Sequence, residues 1–267
     1  MILPLFSSRT NNRHYIQTLP SGLYSSMKNF LFKVLNLTFG SLIRGIQMTL
    51  VNRTPIQGLH DKVTQMAIQD SAEYVMSNFS RAMVFKTREE LWDYCLSRNS
   101  HLLVGGGGVI AEFGVWKGES INFFARKCPN AHVYGFDSFE GLEEDFYGFV
   151  LLKGSFSTAG KLPKCEKNVE LFKGWFEDTL PIFIEKLGKS QIHILHMDAD
   201  TYKPTAYVLN SLSKNLSKGT IIIFDEYFGY HRWRLHEFKA WQEAVMAFDI
   251  KYTYLGYTEG QVAVEIL

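Results

Sequence analysis

Two acidic clusters hold the carboxylates best placed for chemistry. One is His196-Met197-Asp198-Ala199-Asp200; the other, Asp225-Glu226, begins 27 residues after Asp198. Each follows a short apolar run, Ile192-His193-Ile194-Leu195 and Thr220-Ile221-Ile222-Ile223-Phe224. Short Ile-rich runs of this kind read as buried parallel strands. Acids at the C-terminal ends of neighbouring parallel strands project into one crevice, where open α/β sheets bind ligands. Four carboxylates meeting there repel one another unless a positive charge lies between them. A hard divalent cation, which prefers oxygen ligands, meets that need.

A second set of residues precedes these clusters. The segment Glu112-Phe113-Gly114-Val115-Trp116-Lys117-Gly118-Glu119-Ser120 follows a predicted strand. Gly114 permits a tight turn and close approach of a ligand, and Gly118 opens the next helix. The spacing is G-x-x-x-G, not the G-x-G-x-x-G of dinucleotide sites, which disfavours a nicotinamide-dependent oxidoreductase. Glu112 beside the turn suits a ligand bearing an ammonium or sulfonium group better than a pyrophosphate. Asp137 closes the next strand, 23 residues after Gly114, where an acid commonly grips ribose hydroxyls. In this order the features favour a nucleoside with a cationic amino-acid tail, S-adenosylmethionine.

The elements that must position these residues alternate. Strands are expected over Val109–Phe113, 132–136, 169–172, 192–197 and 221–224. Helices are expected over 118–127, 178–187 (with Pro181 in its first turn and Gly188 as its stop), 204–216 and 235–248. A terminal hairpin over 251–256 and 261–266 turns at Thr258-Glu259-Gly260. Upstream, 61–84 reads as helical, and Thr87-Arg88-Glu89-Glu90 has the form of a capping box. The expected fold is α/β: a doubly wound, mostly parallel, seven-stranded sheet with a C-terminal antiparallel hairpin.

Five motifs in this order resemble the macrocin and mycinamicin (TylF-type) O-methyltransferases. They are Glu112-Phe113-Gly114-Val115-Trp116-Lys117-Gly118, Tyr134-Gly135-Phe136-Asp137-Ser138-Phe139-Glu140-Gly141-Leu142, Gly174-Trp175-Phe176-Glu177-Asp178-Thr179-Leu180-Pro181, Met197-Asp198-Ala199-Asp200-Thr201-Tyr202 and Phe224-Asp225-Glu226-Tyr227. The resemblance covers roughly residues 61–267. It implies a Rossmann-like class I methyltransferase that modifies sugar hydroxyls of a glycan or glycosylated metabolite. By the same resemblance, Glu112, Gly114 and Gly118, with Ser120 nearby, hold the methionyl part of S-adenosylmethionine. Asp137, followed by Ser138, holds the ribose, and Gly174, Trp175 and Phe176 lie near the adenine. Asp198, Asp225 and Glu226 bind magnesium, and Asp200 is the general base. The family often has Asp-Asp where this chain has Asp225-Glu226.

The chemistry agrees with the residues. An alcohol holds its proton tightly; a metal lowers the pKa of bound water from ~15.7 to ~7, and an alcohol should respond in the same direction. A positioned base then removes a weakened proton. Trp116, Phe139, Phe146, Tyr147, Tyr202, Tyr227, Phe228, Tyr230 and Trp233 are candidates to wall the site, with core packing as the competing reading. His231 and His236 are candidates to touch substrate, whereas His196 is expected to point into the fold. The rival functions are a catechol-type phenol O-methyltransferase and a non-catalytic cofactor-binding module.

The bulk numbers set bounds. The chain has 267 residues, 46% of them hydrophobic, and a net charge of +1. Residues 1–60 contain six cations and no acid, which leaves 22 basic against 27 acidic residues, a net −5, in the rest. An acidic body argues against a nucleic-acid partner. Cys95, Cys128 and Cys165 form no metal or disulfide pattern, which fits a reducing, cytoplasmic setting. No uninterrupted apolar stretch is long enough to span a membrane, and there is no standard secretory signal. The expected organisation is an extension over 1–60 and a methyltransferase domain with an N-terminal helical cover over 61–267. Within the extension, residues 27–50 place apolar side chains largely at helical spacing, with Lys28, Lys33 and Arg44 between them. That pattern suits a helix packed on the domain or on a homo-oligomer partner, one lying on an anionic membrane surface, or an acid-poor transit peptide. A peripheral element docking on a membrane or a second subunit is therefore expected.

Overall fold

The computed structural model describes residues 55–100 and 107–267. The segment 27–50 lies outside the described residues. Helix α1 (Pro55–Asn78) begins with proline, whose missing donor costs nothing in a first turn. The helix expected over 61–84 stops earlier, because Phe79 turns inward and stacks on Tyr254 with ring centroids 3.8 Å apart. The residues after it form β1 (Met83–Val84), an eighth strand absent from the seven expected.

Helix α2 (Arg88–Arg98) is capped by Thr87, whose hydroxyl accepts from the Glu90 N–H at 3.2 Å. Glu90 reaches back to the Lys86 N–H at 2.9 Å, completing the box one residue earlier than the usual partner. There follow β2 (Val109–Phe113), α3 (Glu119–Lys127), β3 (His132–Asp137), β4 (Val169–Lys173), α4 (Phe176–Leu187), β5 (Ile194–Met197), α5 (Tyr202–Leu212), β6 (Ile221–Phe224), α6 (Glu237–Ala247), β7 (Tyr252–Tyr257) and β8 (Val262–Ile266). Pro181 lies inside α4 rather than in its first turn, since that helix starts at Phe176. Helix α5 ends four residues before the expected 216. Just beyond it, the Asn215 amide donates to the Gly188 and Ser190 carbonyls, both at 3.0 Å.

The strands form one sheet in the order β1-β7-β8-β6-β5-β2-β3-β4. All neighbours are parallel except β8, which runs antiparallel to both β6 and β7. Alternation along the strands divides the core. Ala111, Phe113, Leu195, Met197, Ile222 and Phe224 share a cluster with α4, α5 and α6. Ile110, Val133, Ile194, Ile221 and Ile223 share one with Leu91 and Trp92 of α2 and Ile121 and Phe124 of α3. Helices thus cover both faces, as the doubly wound reading requires, and the runs Ile221–Phe224 and Ile194–Met197 are buried along their whole length. Among the described residues, no helix is long and apolar enough to cross a membrane.

Candidate active site

Strand register brings the key residues to one edge. Phe113 pairs with Met197 on one side and Phe136 on the other, and Met197 pairs with Phe224. Gly114, Asp137, Asp198 and Asp225 each stand one step beyond these pairs, at the C-terminal ends of four adjacent parallel strands. The ladder continues through them: Gly114 N–H donates to Phe136 O, Asp198 N–H to Phe113 O and Asp225 N–H to Met197 O, each at 2.9 Å. Gly114 has φ +96°, and a Cβ there would overlap the Asp198 carbonyl oxygen. Its glycine identity is therefore required by the packing of the two strand ends, whatever else it touches.

A cavity of about 270 Å³ opens at this edge. Of the sequence-predicted residues, Gly114, Asp137, Ser138, Trp175, Phe176, Asp198, Asp200, Asp225 and Glu226 line it. Glu112, Gly118, Ser120 and Gly174 lie outside its lining. Glu112 is fully buried: Oε1 accepts from Ser120 Oγ at 2.9 Å, and Oε2 lies 3.0 Å from His196 Nδ1. Burial pushes its carboxyl above the usual range, with His196 opposing the shift. Gly118 takes φ +80° before α3, and Gly174 donates its N–H to the Asp137 carbonyl at 3.0 Å. Asp137 is itself well occupied. Oδ2 accepts from the Val115 and Trp116 N–H groups at 2.9 and 2.7 Å, and Oδ1 accepts from Phe139 N–H at 2.6 Å. It shapes both loops that border the cavity.

The acids behave as one electrostatic unit. Burial raises the Asp198 and Glu226 carboxyls well above their ordinary range, and Asp225 is the next contributor to both. Asp200 is pushed up to about 7, by burial and then by the Asp225 and Asp137 carboxylates. Ligand atoms of His196, Asp198 and Asp225 all lie within 4.8 Å of one another, as do those of Asp198, Asp200 and Glu226. Glu226 Oε2 and His196 Nε2 are buried without a hydrogen-bond partner in the described structure. Mutually repelling carboxyls and orphaned polar atoms are what a cation would satisfy, so the residues present fit one.

Several neighbours carried little sequence signal. Gln261, in the β7–β8 turn, donates from Nε2 to Asp225 Oδ1 and accepts from Trp92 Nε1 at 3.0 Å. Glu237, the first residue of α6, is fully buried and accepts the Glu226 N–H at 3.0 Å; in sequence it looks like an acid placed for the helix dipole. Phe156, from the irregular stretch between β3 and β4, lines the cavity and meets Trp116 edge-on at 5.5 Å. Of the aromatics proposed as walls, Trp116 lines the cavity, whereas Phe139, Phe146, Tyr227, Phe228, Tyr230 and Trp233 are buried in the core and Tyr147 is exposed. His236 packs on Phe146 at 4.8 Å and His231 is exposed; neither lines the cavity.

Residues 111–227 match a family model described as a methyltransferase domain. The fold is that of a class I methyltransferase. Curated relatives include the 8-demethyl-8-(2,3-dimethoxy-alpha-L-rhamnosyl)-tetracenomycin-C 4'-O-methyltransferase of Streptomyces olivaceus, 28% identical over 55% of this chain and 63% of that protein. Mycinamicin III 3''-O-methyltransferase of Micromonospora griseorubida is 27% identical over 65% of this chain and 76% of that protein. The chain thus spans less than two thirds of the first relative's length. Among solved structures, CalS11, a calicheamicin methyltransferase, matches with a TM-score of 0.52 at 21% identity, covering 80% of this chain and 94% of that one. This methyltransferase fold puts the four acids and the Gly114–Asp137 edge on one cavity.

Proposed function

We propose that this chain is an S-adenosylmethionine-dependent O-methyltransferase of the macrocin and mycinamicin type, acting on a sugar hydroxyl with the help of a hard divalent cation such as magnesium. The observation that carries this reading is the convergence of Asp198, Asp200, Asp225 and Glu226 on the cavity that Gly114, Asp137, Ser138, Trp175 and Phe176 also line. The names of the two curated relatives, a rhamnosyl-tetracenomycin-C 4'-O-methyltransferase and a mycinamicin III 3''-O-methyltransferase, support the acceptor class. Residues 61–267 would form the catalytic domain and 1–60 an extension outside it.

Asp198, Asp225 and Glu226 are the residues that would hold the cation, which supplies Lewis acidity to weaken an O–H bond. Asp200 takes the proton. Without a cation its carboxyl stands at about 7, raised by burial and by the Asp225 and Asp137 carboxylates; a cation held beside it would lower that value and favour the proton-accepting form. Bound S-adenosylmethionine would supply the methyl group to the acceptor oxygen with loss of its methyl–sulfur bond; the proton on Asp200 and the neutral thioether would then account for all charge. Asp137 orders the loops at residues 115–116 and 139, and Trp175 and Phe176 supply apolar surface for a nucleoside base. In-line transfer gains most from such positioning, ~7–11 kcal/mol at best.

Calorimetry should show binding of S-adenosylmethionine or its demethylated product and none of NAD. A methyl-transfer screen against deoxysugar glycosides, flavonoids and catechols should give product with the glycosides, lost with chelator and restored by magnesium. NAD binding without methyl-donor binding would sink the cofactor reading. Turnover of catechols alone would replace the acceptor, and full activity in excess chelator would remove the cation.

A further inference from the structure

We propose that His196 is a nitrogen ligand of the cation, held in that role by Glu112, and that the site therefore favours a first-row transition ion such as Mn²⁺ over Mg²⁺. The inference rests on the cation assigned above and concerns which atoms hold it.

His196 lies on β5, two residues before Asp198, and is fully buried. Its ring is fixed on several sides. Trp92 and Phe124 meet it edge-on, each with centroids at 5.6 Å. Nδ1 lies 3.0 Å from Glu112 Oε2, and Ser120 anchors the other Glu112 oxygen. A carboxylate at Nδ1 accepts the Nδ1–H and leaves the lone pair on Nε2. This is the outer-shell arrangement that orients metal-binding histidines and raises their basicity.

Nε2 points toward the acids and has no hydrogen-bond partner in the described structure. Asp225 Oδ1 is 3.8 Å away, beyond hydrogen-bond range. Two atoms each about 2.1 Å from one ion sit about 3 to 4.2 Å apart, depending on the angle between them. The His196–Asp225 separation falls in that window, and Asp198 completes a set whose ligand atoms lie within 4.8 Å of one another. The same oxygen, Asp225 Oδ1, accepts from Gln261 Nε2, and Gln261 is itself anchored by Trp92. A site built on acids alone would leave Nε2 desolvated and unsatisfied, at a cost typical of a buried polar atom. An imidazole in the ligand set biases the site away from magnesium, which takes oxygen ligands almost exclusively.

The test uses the full chain loaded with Mn²⁺ and read by pulsed electron paramagnetic resonance. The wild type should show ¹⁴N coupling from a directly bound imidazole. His196→Gln, with its fold checked by circular dichroism, should lose the coupling, bind Mn²⁺ at least 10-fold more weakly and show a reduced Mn²⁺-over-Mg²⁺ preference. Glu112→Gln should keep the coupling while weakening Mn²⁺ binding by roughly 10–100-fold. If His196→Gln does not fold, the wild-type spectrum decides alone. Mn²⁺ bound without ¹⁴N coupling, or with unchanged affinity in folded His196→Gln, overturns the histidine ligand and leaves an acid-held cation; His196 is then a link between Glu112 and Asp225. Failure of the wild type to bind any divalent ion overturns the cation itself.

Discussion

Asp200 sits at φ +62°, in the left-handed region that L-residues seldom occupy, directly before Thr201, the residue that leads into α5. Aspartate tolerates that conformation better than most side chains, so the strain is modest. The turn nevertheless aims an acid with a carboxyl raised to about 7 at the cavity. Asp200→Asn keeps the size and the backbone preference and removes the base. Turnover should fall by roughly 10²-fold or more, the usual worth of a positioned proton acceptor, while calorimetric affinity for S-adenosylmethionine stays within a few-fold of wild type. In the wild type the rate should rise with pH as the carboxyl gives up its proton, with a midpoint that a bound cation moves below the cation-free value of about 7; in the variant that limb should vanish. Near-normal turnover would reduce Asp200 to a turn residue. The four acids were legible because each follows an apolar run. In the sequence His196 signals only a residue facing the fold, and its orphaned Nε2 emerges only once β2 and β5 lie side by side.

At the scale of elements, α6 does more than cover the sheet. Its first residue, Glu237, accepts the Glu226 N–H and ties the start of the helix to the loop after β6. Glu237→Ala should leave that N–H unsatisfied and destabilise the protein by about 1–3 kcal/mol in chemical denaturation. Cation affinity should fall with it, because Glu226 would lose its anchor. An unchanged midpoint together with unchanged cation binding would show that water replaces the carboxylate without cost. The strands and most helices were legible from apolar periodicity and from breakers such as Pro129 and Gly188. The two-residue β1 was not, because its partner is β7, more than 170 residues later, and so short a segment carries no period of its own. The stretch between β3 and β4 gave no periodic signal either, yet it delivers Gly141, Leu142, Glu143 and Phe156 to the cavity.

For the whole molecule, the acid cluster makes stability depend on pH in an unusual direction. Asp198, Asp200, Glu226 and Glu237 all have folded-state pKa values above their ordinary ones. Such groups bind protons more tightly folded than unfolded. Their contribution is complete below the ordinary carboxylate range, near 4, and is lost as pH rises through their folded values, about 7 for Asp200. Without cation, the melting temperature should therefore decline from pH 5 to pH 8. Excess Mn²⁺ or Mg²⁺ should raise it, and by more at pH 8 than at pH 5, since binding requires deprotonated carboxylates. A cation-free melting temperature that climbs over this range would mean the cluster is more solvated than its burial indicates.

The position of β8 bears on how the molecule is made. Although it follows every other strand in the sequence, it lies inside the sheet, between β7 and β6. During synthesis the parallel strands can assemble first, but β6 then presents a bare row of amides and carbonyls until Val262–Ile266 leaves the ribosome. Gln261, which precedes that strand, reaches Asp225 only in the same event. Closure of the sheet beside β6 and placement of Gln261 against Asp225 thus depend on the same strand. A chain lacking β8 would carry both an adhesive edge and an acid cluster without Gln261.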